Sequence, residues 1–506
     1  MWGRPRANQG VSGDACAGRR VAEDDRPVAA LPATPAVPRP GLRPRAAALL
    51  VALGLALNVA RLTGPFTDGQ AGNCGAMFAI FARNEQVLGL AQTHGVPVVN
   101  PVPPPSIATA EFYAHHPPGL PWLVMLAAQL PLEVETAGRL VALLAFLAAT
   151  LLLADLAARL AGPGAALAAG VLMLALPAGR HDALLVNYET VALPALLLLV
   201  RALRLGVGRP WPAALLAALT DWVALLPLVF GPGAAGRRAW LRALLAAAAV
   251  AVAGSLLARS VSPQAAGSAL AQGLAATFLS PEFRGAAWAT AVRNHLAALY
   301  GWALLPAAVA LLALPRRPAP LRGVLVQLLV IGVLNIAVFA QHATGHEHFS
   351  LLLLPWVALS VATLLFPGTP AGGPARWLAL ALLAALLGAS TWQAALQHPA
   401  RSRTDQAMLA DGLRAAAPEQ ALYVRPDGAA FVFLQRAQRH VAPLAVGSRD
   451  EARAAARDYR RRFGLPEAWP AYVALAPGEE VPTWLAGTAP PPGAADAWRL
   501  VPLGQD

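Results

Sequence analysis

Long apolar runs punctuated by short arginine clusters fill the chain between Arg45 and Gln397. The first lies within GLRPRAAALLVALGLALNVARL, and others cover 140–160, 163–178, 184–204, 211–230, 239–258, 296–314, 323–340, 350–366 and 377–396. A helix that crosses a bilayer needs about 20 mostly apolar residues, and hydrocarbon offers no water to satisfy a less regular backbone. The runs predict an all-α polytopic membrane protein of about 10–12 transmembrane helices over 46–398. Polar segments interrupt them at 63–118, 259–295 and QHATGHEHFS, 341–350. From Pro399 the pattern changes. Helical DQAMLADGLRAAA, strand-like ALYVRP, apolar AAFVFLQR, an arginine-rich helix and AYVALAP follow in order, predicting a small α/β domain over 399–506. Residues 1–45, rich in Pro, Arg, Ala and Gly without periodicity, are expected to be a disordered cytoplasmic tail.

The arginines thread the runs, because cytoplasmic loops carry the excess of positive charge. Arg201, Arg204 and Arg209 form one cluster, Arg237, Arg238 and Arg242 a second, Arg316, Arg317 and Arg322 a third, and Arg376 stands alone. Placing all of them inside requires that 119–132 stop short of crossing and that 211–230 fold back as a hairpin or re-entrant pair broken at Asp221. The loop 63–118, the loop 259–295, the segment 341–350 and the C-terminal domain then lie outside. Plain alternation through every run also closes and leaves the same features outside, but it puts Arg180 and Asp182 inside and the Arg201 cluster outside, so the first threading is preferred.

Composition supports the membrane assignment: 57% of the 506 residues are hydrophobic, 13% are charged and the mean hydropathy is +0.52. The net charge of +12 comes from arginine alone, since the chain has no lysine, which points to a GC-rich bacterial genome. These arginines flank apolar runs and do not form a nucleic-acid face, so nucleic acid is set aside as a partner. A secretory signal would need an apolar run within the first 30 residues and a cleavage site after it, and neither is evident, so the first helix is expected to stay as an anchor. Cys16 and Cys74 fall on opposite sides of it, so no internal disulfide is expected.

Several polar residues at membrane edges can carry chemistry. Asp68, in PFTDGQAG just past the first helix, can take a proton from a sugar or lipid hydroxyl, although aspartate before glycine also serves ordinary turns. His115 and His116 precede Pro117 and Pro118, whose restricted backbone aims both imidazoles away from the next apolar segment and toward a phosphate or sugar hydroxyls. In RHDALLVNYETVALPALLLL, Asp182 and Glu189 are seven residues apart and would share a helix face, with Arg180 and Tyr188 nearby. Ionisable groups at membrane depth are costly and mark sites, though the helix dipole alone would accommodate Asp182. His342, His346, Glu347 and His348 cluster in QHATGHEHFSLLLLP. They suit hydrogen bonding to a polar substrate, and a divalent metal is an open alternative without an HExxH frame. Arg284 and Arg293, in FRGAAWATAVRNH, are external arginines and so candidates for a lipid phosphate.

An early external aspartate, a residue pair before Pro-Pro, then ETAGRLVALLAFLAATLLLADLAARLAGPGAALAAGVLMLALP and an Arg-x-Asp resemble the GT-C membrane glycosyltransferases over about 55–230. The resemblance is nearest to the aminoarabinose transferase and protein O-mannosyltransferase group. It implies an active-site acid at Asp68, a second membrane segment beginning at Pro117 and Pro118, and a second acid at Asp182. It also implies transfer of a sugar from a polyprenyl-phosphate carrier to a lipid, glycan or protein acceptor at the outer face of the inner membrane. The expected chemistry has Asp68 as general base, with Arg284 or Arg293 and the histidines holding the departing phosphate and no cofactor required. A secondary transporter would show internal repeats and midplane polar groups, which are not evident here. A non-catalytic assembly protein would not need Asp68, Asp182 and the histidine runs on one side.

Overall fold

The computed structural model describes residues 40–113, 116–261, 285–340, 343, 346–368, 373–401, 404–427, 429–442, 445–463, 465–477, 479–485 and 498–503. The expected tail therefore lies outside the described residues up to position 39, as do His115, Arg284 and His342. Seven helical stretches among these residues are long and apolar enough to span a membrane: Pro44–Arg61, Val134–Ala161, Arg237–Val261, Ala286–Leu312, Ala319–Val338, Glu347–Leu365 and Gly373–Gln397. Pro163–Ala175 and Pro210–Thr220 are apolar but shorter. Tyr188–Leu205 has spanning length but carries Glu189, Arg201 and Arg204. The chain is a multi-pass, mainly helical membrane protein.

Two sets of contacts define the ends of the bundle. At one end Asp155 accepts from the Leu42 N–H at 3.1 Å and pairs with Arg159 at 2.9 Å and Arg201 at 3.0 Å. This gathers the start of helix Pro44–Asn58 with the ends of Val134–Ala161 and Tyr188–Leu205. At the other end Arg139 donates to the carbonyls of Gly64 and Pro65, both at 2.7 Å, and Arg61 donates to the Arg180 carbonyl. Arg180 and Asp182 thus lie at the opposite end from Arg201.

The run 211–230 is broken where the charge pattern requires. Helix Pro210–Thr220 ends at Asp221, which is extended at φ −165°, and a 3₁₀ helix continues over Trp222–Phe230. The segment leaves the Leu205 end of its neighbour, and after the break Gly233 packs on the Leu203 carbonyl and so is back at that end. Asp221 is the tip of a hairpin. Helix Gly119–Ala127 is only nine residues, about 14 Å, so it also stops short of crossing.

After helix Gly373–Arg401 the chain forms a sheet of β1 (Leu422–Val424), β2 (His440–Ala442), β3 (Ala471–Leu475) and β4 (Arg499–Pro502), in the order β2-β1-β3-β4. β1 is parallel to β2 and β3, and β4 runs antiparallel to β3 at the edge. Helices Phe431–Ala437 and Arg449–Phe463 make the crossovers that parallel strands require. All three residues of β1 are buried, as expected for a strand covered on both faces. Ile80, from helix Gln70–Leu88 in the polar segment 63–118, completes the cluster of Ala410, Leu413, Tyr423 and Phe433, so the sheet region docks on that segment.

Candidate active site

Local sequence rules place the parts. Pro117 and Pro118 lead from His116 into helix Gly119–Ala127, and Gly119 lets that helix approach the hairpin, since a Cβ there would overlap the Leu219 carbonyl. Asn187 precedes helix Tyr188–Leu205, and its Oδ1 accepts from the Tyr188 N–H at 2.7 Å. The hairpin tip then brings Asp221 to His116.

These residues line a cavity of about 730 Å³ between the Asp221 end of the bundle and helices Phe431–Ala437 and Arg449–Phe463. His116 Nδ1 lies 3.4 Å from Asp221 Oδ1, and the Asp221 side chain is only 2% exposed. The imidazole stacks on Tyr188 at 4.2 Å between centroids, and the Tyr113 ring lies nearly parallel to it at 6.2 Å. Burial pushes the Tyr113 hydroxyl well above its usual range, so it remains a neutral donor. Four buried polar atoms of the wall have no hydrogen-bond partner among the described residues: Asp221 Oδ2, Glu189 Oε2, the Tyr188 hydroxyl and Asn187 Nδ2. An unpaired buried polar group costs about 1–3 kcal/mol, so four together point to a hydroxyl-bearing ligand that satisfies them. His346 and His348, stacked at 5.4 Å, Phe339 and Arg462 complete the lining.

The other predicted residues fall into separate places. Both oxygens of Asp68 accept backbone N–H groups, from Asp405 at 2.7 Å and Gln406 at 2.9 Å. Its carboxylate caps helix Asp405–Ala416 and lines neither this cavity nor a second, basic one. Arg180 lines the second cavity. Asp182 is fully buried, 3.9 Å from His181 Nε2, and Glu347 Oε1 meets the same nitrogen at 3.1 Å. Arg293, expected in an external loop, lies in helix Ala286–Tyr300, exposed and directed to Asn294 Oδ1 at 3.4 Å, away from both cavities. Among the described residues no group of three or more His, Cys, Asp or Glu side chains is arranged to hold a metal. In the sequence Asp221 reads only as a break in an apolar run, and Tyr113, Asn187 and Arg462 are not among the expected site residues. The available signal was a carboxylate inside an apolar run.

The fold matches solved structures of low sequence identity. It is similar to ArnT from Cupriavidus metallidurans, solved bound to undecaprenyl phosphate, with a TM-score of 0.63 and 16% identity over 90% of this chain and 98% of that one. It is also similar to the archaeal oligosaccharyltransferase AglB from Archaeoglobus fulgidus, solved with an inhibitory peptide and a dolichol-phosphate, with a TM-score of 0.51 and 12% identity over 85% of this chain and 69% of that one. No protein-family model matches the chain, and no curated protein sequence matches it.

Proposed function

We propose that the chain is an integral-membrane glycosyltransferase moving a sugar from a polyprenyl-phosphate donor to a lipid, glycan or protein acceptor at the outer face of a bacterial inner membrane. The observation that carries this reading is the cavity wall, where four buried polar atoms without a partner among the described residues share the lining with a histidine backed by a buried carboxylate. The solved structures of similar fold support the donor class, since one holds undecaprenyl phosphate and another dolichol-phosphate.

In this reading His116, rather than Asp68, is the general base. Its Nδ1–H donates to Asp221, which fixes the tautomer and leaves Nε2 to accept the acceptor hydroxyl proton. The acceptor oxygen bonds to the anomeric carbon as the bond from that carbon to the phosphate oxygen breaks, with inversion, and the phosphate leaves with the electron pair. Glu189, Tyr188 and Asn187 orient the sugar hydroxyls, while His346, His348 and Arg462 line the same cavity. Phosphate is a good leaving group, so the reading requires no cofactor.

Purified protein incubated with a panel of polyprenyl-phosphate sugars and candidate acceptors should transfer sugar, and His116→Gln should lower the rate by about 10²–10⁴-fold. Folded protein that neither transfers nor releases sugar from any member of the panel would reject the proposal.

A further inference from the structure

The cavity that holds His116 and Asp221 has further polar groups on its C-terminal side. Tyr459, in helix Arg449–Phe463, lines it while only 4% exposed, and its buried hydroxyl has no hydrogen-bond partner among the described residues. Burial pushes the pKa of that hydroxyl up, so it stays a neutral donor. Arg462, one turn further along the helix, pairs with Glu111 of the polar segment 63–118. Both line the same space while their side chains are 54% and 32% exposed, so water reaches it there. Phe463 packs on the Tyr459 ring at 4.4 Å between centroids, and Phe431 of helix Phe431–Ala437 adds another aromatic side chain to the lining.

A tyrosine hydroxyl held away from water without a partner weakens a fold, and phenylalanine would fill the same space without that loss. A ligand that accepts from the hydroxyl accounts for it. The walls indicate its class. None of Glu111, Phe431, Tyr459, Arg462 and Phe463 lies in a helix of spanning length, so the ligand arrives from water and not along the bilayer. Aromatic rings set beside a hydroxyl and an ion pair match a sugar ring, whose C–H bonds crowd its faces and whose hydroxyls project from its edge. An extended peptide would call for free main-chain partners. In the lining they are already engaged, since the Val99 N–H donates to the Glu111 carbonyl at 2.8 Å and the Glu111 N–H to Asn100 Oδ1 at 2.7 Å. At about 730 Å³ the cavity has room for more than one sugar ring. We propose that its C-terminal side is the acceptor subsite and that the acceptor is a glycan, held by the Tyr459 hydroxyl against these aromatic rings. The word acceptor rests on the transfer reading above, whereas glycan binding itself does not.

Full-length protein in phosphatidylcholine nanodiscs, without any donor, is titrated calorimetrically with maltotriose, mannotriose and chitotriose, and with a peptide rich in serine and threonine. At least one trisaccharide should bind saturably, and the peptide should not. Tyr459→Phe should weaken the glycan on the order of tenfold or more. It should also melt at or above the parent temperature, whereas loss of a tyrosine needed only for structure would lower the melt. In transfer assays with the same glycan, Tyr459→Phe should raise the acceptor KM by a similar factor and leave the donor KM unchanged. Glycan binding that depends on Tyr459 in protein that transfers nothing supports the subsite while the transfer reading fails. Transfer to a glycan with an acceptor KM unmoved by Tyr459→Phe overturns the subsite and leaves the transfer reading standing. Binding of the peptide in place of glycan, or no saturable binding of any trisaccharide, overturns the proposal.

Discussion

The imidazole of His116 stacks on Tyr188 and lies parallel to Tyr113 with a buried carboxylate at Nδ1, so its orientation is set before any substrate arrives. Groups that act as one unit fail as one unit. His116→Gln, Asp221→Asn and the double variant should therefore lose similar amounts of transfer, about 10²–10⁴-fold each, and multiplying losses in the double variant would show that the two act separately. Asp68 differs. Asparagine retains an acceptor for the helix it caps, so Asp68→Asn should transfer within a few-fold of wild type. Asp68→Ala, lacking the cap, should lose about 0.5–2 kcal/mol of stability in a denaturation experiment. A rate collapse in well-folded Asp68→Asn would return the base assignment to that carboxylate. The sequence could expose His116, which sits beside two prolines, but not its partner, because the two are 105 residues apart and meet only through helix packing. Asp68 was legible as an acid outside the first helix. Its role was not, since the amides it caps lie 337 and 338 residues away.

At the scale of elements, apolar runs were legible because burial in lipid is read residue by residue, and the break at Asp221 followed from charge placement alone. Strands β1 and β3 were also visible, in ALYVRP and AYVALAP, but β2 and β4 were not, and neither was the packing of the sheet on helix Gln70–Leu88, since Ile80 carries no local mark of a sheet partner. This region has its own pH response. His440, in β2, packs near Tyr459 and Trp469, and burial lowers its pKa to about 4. An unfolded histidine titrates near 6.5, so the folded state binds fewer protons between these values. Stability should be complete above about 6.5 and decline as pH falls toward 4. Hydrogen exchange at the β2 and β3 amides should accelerate over that window, and His440→Gln should flatten the response. An acceleration of equal size in His440→Gln would assign it to other groups.

The whole molecule combines an end defined by Arg139 and Arg61, where both cavities and the sheet region gather, with an end defined by Asp155 and Arg201. Helix Tyr188–Leu205 connects them, about 27 Å long, with Glu189 at the first and Arg204 at the second. The hairpin returns to its starting end, so Arg209 and Arg238 should face the same compartment although an apolar run of about 20 residues separates them. Single cysteines placed at each, in a Cys16→Ser, Cys74→Ser background, make this measurable. Both should react with an impermeant thiol reagent only after the cells are permeabilised. Native Cys74, on helix Gln70–Leu88 at the other end, should react in intact cells when Cys16 is removed. Labelling of positions 209 and 238 from opposite sides would make 210–230 a full crossing. Asp221 would then lie within that crossing rather than at a tip, and the pairing with His116 on which the proposed chemistry depends would be lost.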